Sequence, residues 1–497
     1  MNKKIRISGF FICVCSYLML ISPLIVFCLT WLKPIWCIIF SIMFVYPFYT
    51  YTKHEKTSKY IELKLYDILL GIILISAFAW ISGLGGFFYQ TFDNHARNAV
   101  FRDLINESWP VIYAKTDNAL VYYHLFWCIP ALVGKVMGWL GANIVLYLQG
   151  VFFLIFTVFN ILSLLHDKEI KMKMLTVVVI FAVFAGMNIL GQSITQVLGW
   201  CNSSVGLNTN EGWLDFNRNG YDCSYLYRGN FDSLCQIYNQ ALPSWLVTSL
   251  YLKDRNPKTC AFIGLLLVPY GPIPFVGLLL LIAADQAIYF IQACKNKTVL
   301  IKEYISVENI LSVCCAFIFL LYFTCNETGT TISWYVPLSE YTYERIISLI
   351  LFYIFEFGIY AFITYTSNKK NNLWWIANII LLLIPFFKLG YGRDFCMNAS
   401  LPALFIVMYS LIKEIGIGRK QSLKMNILAS CIAIASLSII FGVSERVLIM
   451  KNEHLFPIVA DDARSYSERT IDQTDYDPYN YLSPNYSNHL FYKFLAK

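Results

Sequence analysis

Residues 8–30 read SGFFICVCSYLMLISPLIVFCLT, without one charged side chain. An α-helix needs about 20 apolar residues to cross the hydrocarbon core of a bilayer, so this stretch predicts a membrane span. Runs of the same character recur near 34–51, 66–88, 141–165, 174–192, 240–252, 259–271, 274–293, 304–325, 346–366, 373–389, 400–416 and 425–443. The runs near 240–252 and 259–271 are short. They read as broken or tilted helices, with Pro272 and Pro274 punctuating the turn that follows. The predicted fold is all-α: a polytopic transmembrane helix bundle of about 11–14 spans with ordered extracytoplasmic loops.

Composition agrees. Charged residues make up 14% of the 497, against about 25% in soluble chains, and the mean hydropathy is +0.56. The deficit runs along the whole chain, which excludes a soluble protein carrying one signal peptide or anchor. Aromatics reach 17%, as expected where Trp and Tyr sit at many membrane–water boundaries. The net charge of +7 does not indicate nucleic-acid binding, because Lys and Arg fall in short clusters between apolar runs and form no basic stripe.

Those clusters order the topology. Lys3–Arg6, Lys53–Lys64, His166–Lys173, Lys253–Lys258, Lys295–Lys302, Lys369–Lys370 and Lys413–Lys424 occupy every second connection, which marks them as cytoplasmic. The remaining connections, 89–118, 193–239, 326–345 and 390–399, and the tail are placed outside. The expected division is a bundle over 1–443 with outer loops 89–118 and 193–239, followed by an extracytoplasmic tail over 444–497. The N-terminus is expected inside and the C-terminus outside, in a bacterial cytoplasmic membrane. Residues 119–138 are apolar enough to span but would break the alternation, so they read as a juxtamembrane or re-entrant helix on the outer face. Of fifteen cysteines, Cys201, Cys223 and Cys235 share one polar loop, where an oxidising compartment would permit a disulfide.

Candidate chemistry concentrates outside. In FDNHARNAVFRDLINESWPVIY, Asp93, His95, Arg97, Arg102 and Asp103 lie close together. On a helix Asp93 and Arg97 share one face, and so do His95 and Arg102. Solvated salt bridges are the plainest reading of such a loop. The functional one makes Asp93 a general base toward an acceptor hydroxyl, with arginines holding a phosphate through their planar fork. The loop 193–239 adds Gln192 at its edge, Trp200, Trp213, Asp215, Arg218, Arg228 and Asp232, a mixture of rings and polar groups suited to a sugar. The loop 390–399 adds Arg393 and Asp394. His124, alone in an apolar stretch, reads as a packing residue. No Walker A loop, HExxH, paired CxxC or GxSxG element is present. No metal-ligand motif stands out and the cofactor is left open, Asp93 and His95 being the two side chains that would meet a divalent ion.

An acid in an early outer loop, then Val121-Tyr122-Tyr123-His124, then a span at 141–165 ending on His166–Lys173 resembles the front module of the GT-C class of polytopic glycosyltransferases. The segments RDLINESWPVIY, NQALPSWL, RDFCMNASLPALF and FYKFLAK also resemble bacterial membrane proteins of envelope-polysaccharide type. The resemblance implies transfer of a sugar from a polyprenyl-phosphate carrier to a cell-envelope acceptor at the outer face. Asp93 would be catalytic, and His95, Arg97, Arg102, Arg228, Arg393 and Asp394 would bind substrate. The rival readings are a polymerase or ligase of lipid-linked oligosaccharides, with less need of a single acid, and a transporter or flippase. A transporter should show matched halves with ionisable groups at mid-membrane, and the sequence shows neither.

Overall fold

The computed structural model describes residues 3–497 except 55–59, 92, 115–116, 188, 191–193, 195–196, 198–224, 296–300, 327–331, 338, 340, 342, 390–393, 419–422 and 453–480. Helices dominate. Among the described residues seven are long and apolar enough to cross a membrane, and four shorter apolar helices accompany them. Phe11, Leu29, Ile35, Ile38 and Ile42 point outward although apolar. So much exposed hydrocarbon on the first two helices needs lipid around it.

The chain opens with strand β1 (Lys4–Ser8), then α1 (Gly9–Trp31) and α2 (Pro34–His54). Strand β2 (Tyr60–Lys64) pairs antiparallel with β1, and Arg6 Nε donates to Glu62 Oε1 at 2.7 Å. These strands were not predicted. Their alternating residues, KIRIS and YIELK, are short and lie inside basic clusters read as loops. Helix α3 (Leu65–Ile81) leads to α4 (Asp93–Asn106), the short strands β3 (Ile112–Tyr113) and β4 (Asn118–Leu120), and α5 (Leu125–Asp167). Helix α5 is two helices joined at Gly138, where φ is +73° and ψ −172°. Only glycine adopts that conformation without strain. A Cβ there would meet nothing within 4 Å, so the backbone alone demands the glycine. The 125–137 segment is thus separated from the span that follows.

Next come α6 (Met174–Val183), α7 (Asn230–Lys253), the one-turn helix α8 (Cys260–Leu265), α9 (Pro272–Lys295) and α10 (Val307–Phe323). The outer loop expected over 193–239 is corrected at its end: from Asn230 the chain is already helical and buried. The turn between α8 and α9 is sunk in the bundle. Tyr270 Oη donates to Leu20 O, halfway along α1, at 2.7 Å, and Leu266, Leu267 and Tyr270 are wholly buried. Irregular backbone at that depth is tolerated only when protein covers it. This agrees with the expectation of broken helices in the region.

Strand β5 (Ser333–Trp334) precedes α11 (Tyr343–Tyr353), which continues through a π-helical turn at Ile354–Gly358 into α12 (Ile359–Asn368). Helix α13 (Asn372–Leu383), strand β6 (Phe387–Lys388), α14 (Asp394–Ala399), α15 (Leu401–Ile417) and α16 (Leu423–Asn452) follow. Helix α16 continues past residue 443, where the last apolar run ends, to Asn452. The described end of the tail returns to the bundle. Strand β7 (Leu482–Pro484) pairs with β4, and Lys497 N donates to Trp31 O at 2.9 Å.

The basic connections gather at one end. Lys171 acts electrostatically on Glu62, and Lys413 and Arg255 act on Lys168. Ser306 Oγ donates to Lys258 O at 2.7 Å, and Lys413 Nζ to Asn368 Oδ1 at 3.1 Å. Since β1 precedes α1 and Lys497 meets the far end of α1, Lys4 and Lys497 lie at opposite ends of the bundle.

Candidate functional site

The site at the other end is organised by a break in α7. Ile237 has φ −138° and ψ 39°, so the helix is interrupted there. Carbonyls beside an interruption need other donors. Asn94 Nδ2 donates to Cys235 O at 2.9 Å, and Arg97 Nη1 donates to Gln236 O. Helix α4 is therefore bolted to α7 by two buried side chains one turn apart, both on its inner face.

Arg97, 6% exposed, also acts on Tyr122, Tyr123 and Tyr238. The rings of Tyr122 and Tyr123 lie 3.8 Å apart, and Tyr481 from the tail packs 4.4 Å from Tyr122. Asp394 at the start of α14 acts on Tyr123 too, so it belongs to this cluster. Burial pushes both the Tyr122 and Tyr123 phenols above their usual range, with Arg97 opposing.

A second charged group sits on the preceding turn of α7. Asp232 is pushed up to about 6 by burial, against the opposing charges of Arg446 and Arg228. A carboxyl poised there exchanges protons readily near neutral pH. Arg228 is 8% exposed and Arg446 5%. Arg446 Nη1 lies 3.4 Å from Ser82 O, with the guanidinium 5.5 Å above the Phe231 ring and 6.0 Å above that of Tyr89. Sequence reading missed Arg446, because it lies beyond the apolar run that defined the last span. The helix in fact continues past 443 to Asn452 and carries Arg446 with it.

The remaining expected site residues divide. His95 is on the exposed face of α4. Arg102 lies over the Trp139 ring at 5.7 Å, five residues from Arg97 and so rotated roughly 140° from it. Arg97 and Arg102 therefore do not converge. Asp93 begins α4, but its side chain lies outside the described residues, as do Arg393, Gln192, Trp200, Trp213, Asp215, Arg218, Cys201 and Cys223. Cys235 is buried. Asp103 is 2% exposed and accepts from Tyr113 Oη at 2.7 Å, which ties α4 to β3.

His124 is a packing residue. It is wholly buried, stacked 4.5 Å from Trp31, with Nδ1 2.9 Å from Tyr122 O. The same Nδ1 lies 3.2 Å from Tyr322 Oη. Burial holds this imidazole down at about 4. Among the described residues no group of three His, Cys, Asp or Glu side chains is placed to hold a metal ion. No family model, curated protein or solved structure matches the chain significantly.

Proposed function

We propose that this protein is a membrane glycosyltransferase of GT-C type that moves a sugar from a polyprenyl-phosphate carrier to a cell-envelope acceptor, at the end of the bundle opposite the basic connections. On this reading that end faces outward, the N-terminus lies inside, the C-terminus outside, and the shorter apolar helices complete the set of spans in a bacterial cytoplasmic membrane. The observation that carries it is the meeting of three buried arginines from distant segments, Arg97, Arg228 and Arg446, on the Asp232–Gln236 turn of α7. Guanidinium groups held away from bulk water bind phosphate oxygens more strongly than exposed ones do. Beside them Tyr122, Tyr123 and Tyr481 offer ring faces, and Asn239 offers an amide, for a sugar.

Asp93 remains the proposed base, with Asp232 as a second acid able to take that role near neutral pH. His95, Arg393 and Asp394 would serve the acceptor side, whereas Arg102, packed over Trp139, would not. The gathering of arginines around one half-buried acid equally suits a polymerase or ligase of lipid-linked oligosaccharides, which needs the phosphate contacts more than a single base. The test is purified protein in proteoliposomes given a panel of labelled polyprenyl-phosphate monosaccharides with an envelope lipid extract. Label should pass from one donor into a new product. Label moving only as preassembled oligosaccharide blocks would favour the ligase, and unmodified donor appearing in the opposite leaflet would favour a flippase.

A further inference from the structure

We infer that Lys168, Tyr409, Lys413 and Lys253 line a second binding site, for the phosphate of a lipid headgroup or a free phosphate, at the basic end of the bundle where α5, α7 and α15 finish. Lys168 follows the last residue of α5, and its Nζ lies 5.5 Å above the ring of Tyr409 on α15. Lys413, one turn further along α15, and Arg255, just beyond the end of α7, both act electrostatically on Lys168. Like charges drawn together from three elements disfavour one another and attract an anion. Lys413 is fixed in place, with Nζ donating to Asn368 Oδ1 at 3.1 Å and to Ser367 O at 3.3 Å, and an ammonium has a third N–H to give.

Two polar atoms point to a ligand here and not merely to a basic surface. Tyr409 is 5% exposed, and its Oη has no hydrogen-bond partner among the described residues. Lys253 Nζ is buried and likewise has none. Tyr251, two residues before Lys253, reaches Asp285 on α9. Lys253 is about 200° further round the helix, on the side of α7 turned away from α9, and α5 and α15 pack on α7 as well. A buried ammonium or hydroxyl without a partner is costly, and an oxyanion accepts from both. The buried acids of this end are engaged elsewhere: Asp285 by Tyr251 and Arg255, Glu414 by Lys424 and Ser367, Asp254 by Thr259. Asp167, which acts on Tyr409, and Glu169 are exposed beside Lys168. Lys168 is itself exposed, so the site opens at the surface. Basic pockets between helix ends take the phosphate of anionic lipids, and a soluble phosphate shares that chemistry. The site lies at the opposite end from the arginines of α7 and does not rest on the transfer reading.

The experiment titrates the full chain in neutral detergent with three probes: short-chain phosphatidylglycerol, phosphatidylcholine of the same chain length, and inorganic phosphate. Tm is followed in each, since a ligand of the folded state raises it. Phosphatidylglycerol is expected to raise Tm in the wild type and phosphatidylcholine to do so far less. Lys168→Gln should weaken that response about 5-fold in concentration, as for one lysine at an anionic surface. Tyr409→Phe keeps the ring under Lys168 and removes a hydroxyl that has no partner in the free protein. It should leave the unliganded Tm at or above that of the wild type and still weaken binding about 10-fold, as for a lost hydrogen bond to a charged group. A response to inorganic phosphate equal to that to phosphatidylglycerol, and weakened by the same two substitutions, identifies a soluble ligand and upholds the site. No response to either anionic probe overturns it. So does a wild-type response in both variants, which would place the anion at another part of the molecule.

Discussion

Asn94 donates through Nδ2 to the carbonyl of Cys235, 2.9 Å away and 141 positions along the chain. The acceptor is available because α7 breaks at Ile237. Asn94 is 1% exposed, so Asn94→Leu leaves a buried carbonyl unpaired, at a cost of about 1–3 kcal/mol. The expected result is a lower Tm together with reduced ligand binding, since Arg97 depends on the same junction. Asn94→Asp should fare no better, since its carboxylate has no N–H to give. An unchanged Tm in the leucine variant would mean that α4 is not held to α7 in this way.

The second prediction concerns pH. Asp232 has a folded value of about 6, above its ordinary 3.8. The folded protein therefore binds this proton more readily than the unfolded chain between those values. Stability contributed by the protonated acid is full below the lower value, falls as pH rises through the window and is level above it. Asp232→Asn should flatten the change by on the order of 1–2 kcal/mol, allowing for partial exposure. Thermal melts from pH 4 to 7 on both proteins check it, and parallel curves would contradict it.

Asp93 and Asp103 should separate cleanly. Asp93→Asn is expected to leave the protein folded and to reduce transfer about 10²–10⁴-fold, the usual contribution of a positioned base. Asp103, bonded to Tyr113, should act through stability. Asp103→Asn is expected to lower Tm and leave turnover per folded molecule near wild type. Arg102→Lys should change turnover little, because Arg102 lies over Trp139 and away from Arg97. The reverse pattern, an active Asp93→Asn beside an inactive but folded Asp103→Asn, would reassign the base.

Not every acid in an apolar helix is catalytic, and Asp67 shows why. Oδ2 accepts from Met174 N at 2.7 Å and Oδ1 from Leu175 N at 3.1 Å. It caps α6 from the neighbouring α3. Asp67→Ala should cost about 1–2 kcal/mol, as for other lost caps, with transfer per folded molecule unchanged. Loss of activity without loss of stability would contradict the capping role.

The membrane-spanning character was legible because it rests on long uncharged runs such as 8–30, and the alternation of basic clusters was legible because lysines cannot rest in hydrocarbon. The separation of 119–138 from the next span was also foreseen, and Gly138 supplies its physical basis. The charged end was only partly readable. Helix periodicity cannot reveal that Ile237 leaves the helical region, because such breaks are fixed by tertiary partners such as Asn94 and Arg97. Arg446 was hidden for a similar reason. A Ser-Glu-Arg after an apolar run reads as the exit from the membrane unless Ser82, Tyr89 and Phe231 are known to receive it. Helical spacing put His95 and Arg102 on one face of α4, but sequence could not say which face of α4 turns inward; it is the one bearing Asn94 and Arg97.

The most direct test follows one labelled donor in proteoliposomes of purified protein, measuring labelled product and released polyprenyl phosphate over time for wild type, Asp93→Asn and Arg97→Lys. The account predicts equimolar appearance of product and free carrier in the wild type, near loss of both in Asp93→Asn, and a raised donor requirement in Arg97→Lys. Intact donor in every sample, under conditions where the wild type demonstrably binds polyprenyl phosphate, would contradict it.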